Sequence, residues 1–167
     1  MTGETVQFSV ATYLMHRRDF RPIEELYRVH KGPSIILGSI VFTLDGKDYM
    51  GDPYNTELLF LWEGIIESCR ELLETGEPAW RRYEWGGSMG LLYAGWERSH
   101  VELRLAGKRQ FFVPSEQFMR VTLTGVLHAL RLIEKHFPRA AAAAARAIAT
   151  CEETLKLLGE QRTPEAG

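Results

Sequence analysis

Residues 80–96, with the sequence WRRYEWGGSMGLLYAGW, constrain the fold more than any other part of the chain. Two aromatic-rich runs flank the glycine-rich sequence Gly86-Gly87-Ser88-Met89-Gly90, and this arrangement predicts a β-hairpin. Five aromatic residues lie within it: Trp80, Tyr83, Trp85, Tyr93 and Trp96. The hairpin must therefore place several large rings in a core, in a pocket or on a partner surface.

The expected pairing divides these aromatic residues between two faces. With the reversal at residues 86–90, Trp85 opposes Leu91 and Tyr83 opposes Tyr93. Continuing the alternation through residue 100 predicts one core face, made of Trp80, Leu92, Ala94, Trp96, Val101, Leu103 and Leu105. On the other face, Tyr83, Trp85 and Tyr93 are either covered by a further layer or form an aromatic patch that binds a protein or small molecule. The last helix is a candidate for that layer, and a single β-bulge would exchange the two faces.

Alternating and β-branched runs predict the remaining strands. These strands lie at residues 6–16, 34–44, 47–50, 101–105 and 109–113. Asp45-Gly46 separates two of the runs, and an Asp-Gly pair is favoured in the type I′ turn of a hairpin because both of its central residues need a positive φ.

Three helices follow from apolar residues at helical spacing. The first begins after a cap at Asn55 or Thr56 and ends before Gly76, which suits the left-handed stop position. The second spans residues 115–137 and the third is an alanine-rich helix at residues 139–158.

The resulting order is β-β-β-α-β-β-β-β-α-α, with mostly hairpin-length connections between strands. This order predicts an α+β fold with a mainly antiparallel sheet of about six or seven strands. Two long helices pack on that sheet and the alanine-rich helix follows them. Residues 1–158 are expected to form a single domain, and residues 159–167 a disordered tail.

The charge of the chain is small overall but unevenly distributed. The formal net charge is −2, which argues against a general nucleic-acid binder. Residues 41–77 nevertheless contain nine acids and two bases, whereas residues 78–139 contain ten bases and five acids. Oppositely charged surfaces, or one internally paired surface, are therefore expected.

Targeting and redox signals are absent from the sequence. The start of the chain has no signal-peptide pattern and no apolar run is long enough to span a membrane, so we predict a cytoplasmic protein without membrane partners. Cys69 and Cys151 lie at apolar positions of predicted helices, which indicates buried free thiols.

No motif for catalysis, phosphate binding or metal binding is found. Asp45, Asp48 and Asp52 could gather around a cation, but they fall in turns, where aspartate is favoured for local hydrogen bonds. The predictions are therefore no catalytic residue, no metal and no cofactor.

An acidic ridge on the first long helix is the most informative feature. Glu63, Glu67, Glu71 and Glu74 fall within one narrow angular range opposite the apolar stripe, and Phe60 falls among them. One interpretation is a solvated face whose carboxylates pair with Arg81, with Arg82 or with the basic strands. The other is a docking surface for a basic protein partner, with Phe60 as its apolar anchor.

Two segments carry a resemblance to a known class of proteins. They are NTELLFLWEGIIESCRELLETG and FFVPSEQFMRVTLTGVLHALRLIEKHF. With the early strands, their layout over residues 6–137 resembles bacterial immunity proteins encoded as partners of secreted polymorphic toxins. The resemblance implies an inhibitor that occludes a toxin's active site, and it does not extend to residues 139–158.

The leading hypothesis is thus a non-enzymatic protein-binding module, and the resemblance implies an immunity protein of this class. The alternative is a small-molecule-binding domain, or an enzyme without a recognisable motif, that uses an aromatic pocket walled by Tyr83, Trp85 and Tyr93. A homodimer formed through the last helix is a further expectation.

Overall fold

The described residues form two antiparallel sheets and three long helices. The computed structural model describes residues 6–16, 18–26, 28–32, 35–83 and 87–161, apart from the side chains of His16 and Asp52. The predicted α+β class is confirmed. The strands, however, form two sheets in place of one sheet of six or seven strands.

The first sheet contains the strands that precede the first long helix. They are β1 (Phe8–His16), β2 (Asp19–Pro22), β3 (Leu37–Leu44), β4 (Lys47–Met50) and β5 (Thr56–Glu57). The strand order is β2-β1-β3-β4, and β5 pairs with β3. Asp45 and Gly46 connect β3 to β4 with φ angles of 49° and 83°, which is the predicted type I′ geometry. The sequence did not indicate β2 or β5, which are only four and two residues long.

The second sheet is a four-stranded meander. Its strands are β6 (Ala79–Arg82), β7 (Ser88–Ala94), β8 (His100–Leu105) and β9 (Lys108–Pro114), hydrogen-bonded in chain order. In the β6–β7 hairpin, Ala79 opposes Leu91 and Arg81 opposes Met89. The predicted register is therefore wrong, because Ser88, Met89 and Gly90, which were expected in the reversal, belong to β7 and pair with β6.

The helices are α1 (Leu58–Thr75), α2 (Ser115–His136) and α3 (Ala141–Glu160). The Glu57 carboxylate, not Asn55 or Thr56, caps α1 by accepting hydrogen bonds from the backbone N–H groups of Leu59 and Phe60. Gly76 ends the helix with a φ of 73°, as predicted. Because α3 continues to residue 160, residues 159 and 160 of the predicted tail are helical, and residues 162–167 lie outside the described residues.

One hydrophobic core joins both sheets to the helices. At its centre, the rings of Phe8, Phe42, Phe111 and Phe118 contact one another with centroids 5.7–6.5 Å apart and connect the two sheets to α2. This cluster fixes the inner face of the second sheet.

The last helix packs on the body of the protein. Its apolar stripe of Ala144, Ala147, Cys151 and Leu158 is buried against α1 and α2. The helix therefore docks on the body of the same chain, and a homodimer formed through it stays a prediction. Cys69 and Cys151 are buried and free, as predicted.

The faces of the β6–β7 hairpin are the reverse of those predicted, whereas the inward face of β8 is confirmed. Tyr83 is buried and Tyr93 is half-buried on the inner side, where Tyr93 neighbours Val101 in register. Of the residues predicted for the core, Val101, Leu103 and Leu105 of β8 are buried. The others lie outside the core: Trp80 is 42% exposed, Trp96 is 84% exposed, and Leu92 and Ala94 are half-buried.

The cause of the reversal is the connection between β7 and β8. Gly95, Glu97 and Arg98 all have a positive φ, so strand alternation does not continue through this turn. Trp85 lies outside the described residues, and its predicted position is not addressed by the structure.

Candidate functional site

The exposed side of α1 carries the predicted ridge. Its members, which we call the acidic face, are Phe60, Glu63, Glu67, Glu71 and Glu74. Glu71 is half-buried and the other four are exposed. The opposite side of α1 is buried along most of its length, so the helix presents two distinct surfaces, as its periodicity predicts.

Phe60 is held in place although half of its surface is exposed. Its ring contacts Tyr83 edge-on, with centroids 5.5 Å apart and an interplanar angle of 73°. Gly64, one turn further along the helix, permits this contact because a Cβ atom there would lie 2.3 Å from the Tyr83 hydroxyl oxygen. A glycine in the helix thus lets the end of β6 approach α1 and support the exposed ring.

Arginines of the same chain pair with three of the four carboxylates. Arg81 lies 3.0 Å from Glu71 and 3.7 Å from Glu67, and Arg70 lies 2.9 Å from Glu74. Pairing with Arg81, one of the two interpretations of the ridge, is therefore observed. Arg82 is opposite Ser88 in register and faces the outer side of the sheet, so it belongs to a different surface.

Glu63 is the carboxylate of the acidic face whose negative charge is least balanced by a neighbouring arginine. It has no ion-pair partner within 4.0 Å among the residues that the structure describes. Partial burial, followed by the negative charges of Glu57 and Glu67, raises the pKa of Glu63 above its ordinary value, and Arg146 opposes that shift. Glu63, Glu67 and Arg146 border a shallow groove of about 230 Å³ between α1 and α3.

The predicted aromatic patch is not one surface. Tyr83 contacts α1, and its burial raises the pKa of the phenol. Tyr93 lies under the Arg98 guanidinium, 5.5 Å from the ring centroid, and borders an open cleft of about 490 Å³ that Tyr83 does not line. Because the two tyrosines lie in separate places, they do not wall one aromatic pocket, and Trp85 is not described.

The turn aspartates that the structure describes make hydrogen bonds to residues in or beside the first sheet. Asp45 accepts a hydrogen bond from the backbone N–H of Gln7, and Asp48 accepts one from the Thr43 hydroxyl. Within the described ranges, no three His, Cys, Asp or Glu side chains are grouped closely enough to hold a metal ion.

A second candidate surface, which sequence reasoning missed, is the outer side of the second sheet. Trp80 and Phe112 are exposed there, beside Arg104 and Arg109, which both pair with the buried Glu102. The signal was present in β8, where Glu102 and Arg104 alternate with apolar residues. The prediction that Trp80 belongs to the core obscured it.

Comparison of the chain with models of protein families, with curated proteins and with solved structures finds no match. Among the described residues, no helix has the length and apolar character needed to cross a membrane. The function is therefore inferred from the two surfaces themselves.

Proposed function

We propose that this protein is a non-enzymatic binding module that recognises the basic surface of a protein partner through its acidic face. The observation that carries the proposal is the exposed Phe60 ring, which Tyr83 supports and which lies near Glu63, a carboxylate without an ion-pair partner within 4.0 Å among the described residues. A fixed aromatic residue surrounded by charge is the arrangement of an interface anchor.

The electrostatics of α1 favour a cationic partner. The raised pKa of Glu63 arises from burial and from the neighbouring charges of Glu57 and Glu67, so the negative potential there is not fully compensated. A lysine or arginine of a partner would reduce this repulsion as it binds. Glu67 keeps more than half of its side chain exposed despite Arg81, so it can take part in the same contact.

The class of partner is suggested by the layout of the chain. Immunity proteins occlude the active site of a secreted toxin, and the helical segments and strand order here resemble that class. We accordingly propose that the partner is a toxin domain with a basic active-site surface, and that inhibition takes place in the cytoplasm. A row of glutamates would repel nucleic-acid phosphates, so a protein partner suits this face better.

Reversal of two charges tests the proposed site. The partner that the resemblance implies is a toxin domain encoded by the adjacent gene. Glu63→Lys combined with Glu67→Lys should weaken binding to that gene product by about tenfold or more, because attraction becomes repulsion. The dependence of affinity on salt should also become smaller. The unfolding midpoint should stay close to that of the wild type, since Glu71 retains the 3.0 Å contact with Arg81. Binding is measured by titration calorimetry at several salt concentrations.

The matched control carries the same charge change elsewhere. Glu25→Lys combined with Glu134→Lys alters two exposed acids, one directly after β2 and one on α2, and neither belongs to α1 or to α3, which packs beside it. This control should keep near-wild-type affinity. Equal weakening by both double variants would show a non-specific charge effect, and unchanged affinity of the first variant would rule out the acidic face as the site.

A further inference from the structure

We propose that the outer side of the second sheet is a second docking surface, which binds a protein segment combining acidic and apolar side chains. We call it the basic sheet face and define it by Trp80, Arg82, Arg104, Arg109 and Phe112. It lies on different elements from the acidic face and has the opposite charge, so it is independent of the function proposed above.

The register places these side chains on one surface. Trp80, Gly90, Arg104 and Arg109 form one row across all four strands of the sheet. In the next row, Leu92, Glu102 and Phe112 are opposite one another. Paired residues of antiparallel strands project from the same side, so both rows face away from the core.

A buried carboxylate holds two of the arginines. The Glu102 side chain is only 4% exposed, and it accepts a hydrogen bond from Arg104 and lies 3.0 Å from Arg109. Burial alone would raise the pKa of Glu102, but the hydrogen bonds from Arg109 and Arg104 outweigh it and hold the pKa below its ordinary value. The two guanidinium groups are thus ordered before any partner arrives.

The charge of this face stays positive after that pairing. Glu102 is the single acid in the sequence of the four strands, whereas Arg82, Arg104 and Arg109 all lie on the outer side. Arg109 is 58% exposed and Arg104 37% exposed, so each keeps donors available to carboxylates of a partner.

Two aromatic residues supply the apolar part. The Trp80 ring packs over Gly90 of β7. A Cβ atom at Gly90 would lie 2.3–2.7 Å from three carbons of that ring, so a larger residue there would displace it. Phe112 is 52% exposed, with the Arg109 guanidinium 5.7 Å from its ring centroid. Tryptophan, phenylalanine and arginine are the residues most typical of protein interfaces.

A protein segment fits this face better than a single-stranded nucleic acid. Two of the three arginines already share the buried carboxylate of Glu102, which reduces the positive charge available to a nucleic acid. A phosphate backbone would need a longer basic track than this face provides. An extended peptide with carboxylates on one side and apolar groups on the other matches both features of the surface.

The test is a titration of isotope-labelled protein, followed by NMR, with a synthetic peptide of alternating glutamate and leucine. Shifts should concentrate on β6–β9, and replacing the leucines by serine should weaken binding. Arg82→Gln combined with Arg109→Gln should weaken binding by about tenfold while Arg104 still pairs with Glu102. Trp80→Ala should weaken it independently of charge.

The control is Arg21→Gln combined with Arg131→Gln, two exposed arginines on β2 and α2 that also pair with acids. It should bind the peptide within about twofold of the wild type. Equal loss in test and control variants, or an absence of shifts on β6–β9, would overturn the proposal. Tighter binding of oligothymidylate than of the peptide would assign the face to nucleic acid. A doubled solution mass that returns to the monomer mass in Trp80→Ala would show that the basic sheet face binds a second copy of this chain.

Discussion

Replacing Phe111 by alanine should lower the free energy of unfolding by about 3–5 kcal/mol, the range for a large buried aromatic residue. The Phe111 ring is 4% exposed and contacts Phe8, Phe42 and Tyr49. Its loss would leave a cavity where the two sheets meet α2, and the surrounding rings can fill that space only in part.

The adjacent Phe112 provides the matched control. It follows directly on the same strand but lies on the outer side of the sheet and is 52% exposed. Phe112→Ala should therefore lower the free energy of unfolding by less than about 1 kcal/mol. Urea denaturation of both variants measures the difference. Equal losses would contradict the assignment of the two faces of the second sheet.

Gly38→Ala should lower the free energy of unfolding by about 3 kcal/mol, because β3 approaches its neighbours too closely there to admit a methyl group. A Cβ atom would lie 2.1 Å from the Tyr13 carbonyl oxygen and 2.8 Å from a Leu58 side-chain carbon. The carbonyl belongs to the backbone of β1, so relief would require the central strand pair to move.

Gly32→Ala is the control for backbone entropy. No atom lies within 4 Å of a Cβ built at Gly32, and its φ is not in the left-handed region. This substitution should leave stability unchanged or raise it slightly. Thermal and urea unfolding of both variants measure the difference in stability. A Gly38→Ala protein as stable as the Gly32→Ala protein would contradict the packing of β3 between β1 and α1.

Sequence patterns predicted the elements whose structure depends on residues close together in the chain. The apolar spacing along residues 58–75 predicted the two surfaces of α1, and Gly76 predicted its end. Asp45-Gly46 predicted the hairpin turn between β3 and β4. The placement of Phe60 among the glutamates follows from the same spacing. Each of these features depends on residues within a few positions of one another.

Features that depend on distant residues or unusual backbone angles were not predictable in the same way. Glu97 and Arg98 adopt positive φ values that favour glycine, and this turn reversed the expected faces of the hairpin. Tyr83 was left unassigned because its position depends on Gly64, nineteen residues earlier.

The pairing within the acidic face shows the same distinction. Arg81 was among the expected partners because hairpin and helix are close in sequence, but its choice of Glu71 and Glu67 depends on the register of β6. The basic sheet face was missed for the related reason that the wrong register placed Trp80 in the core.

Titration calorimetry of the Phe60→Ala variant against the product of the adjacent gene tests the central claim most directly. Phe60 is the exposed anchor of the acidic face, and its replacement leaves every carboxylate and arginine of that face in place. The account predicts a wild-type complex whose affinity falls by about tenfold or more in Phe60→Ala, with little change in the unfolding midpoint. A wild-type protein that forms no complex, or a variant that binds as tightly as the wild type, would contradict it.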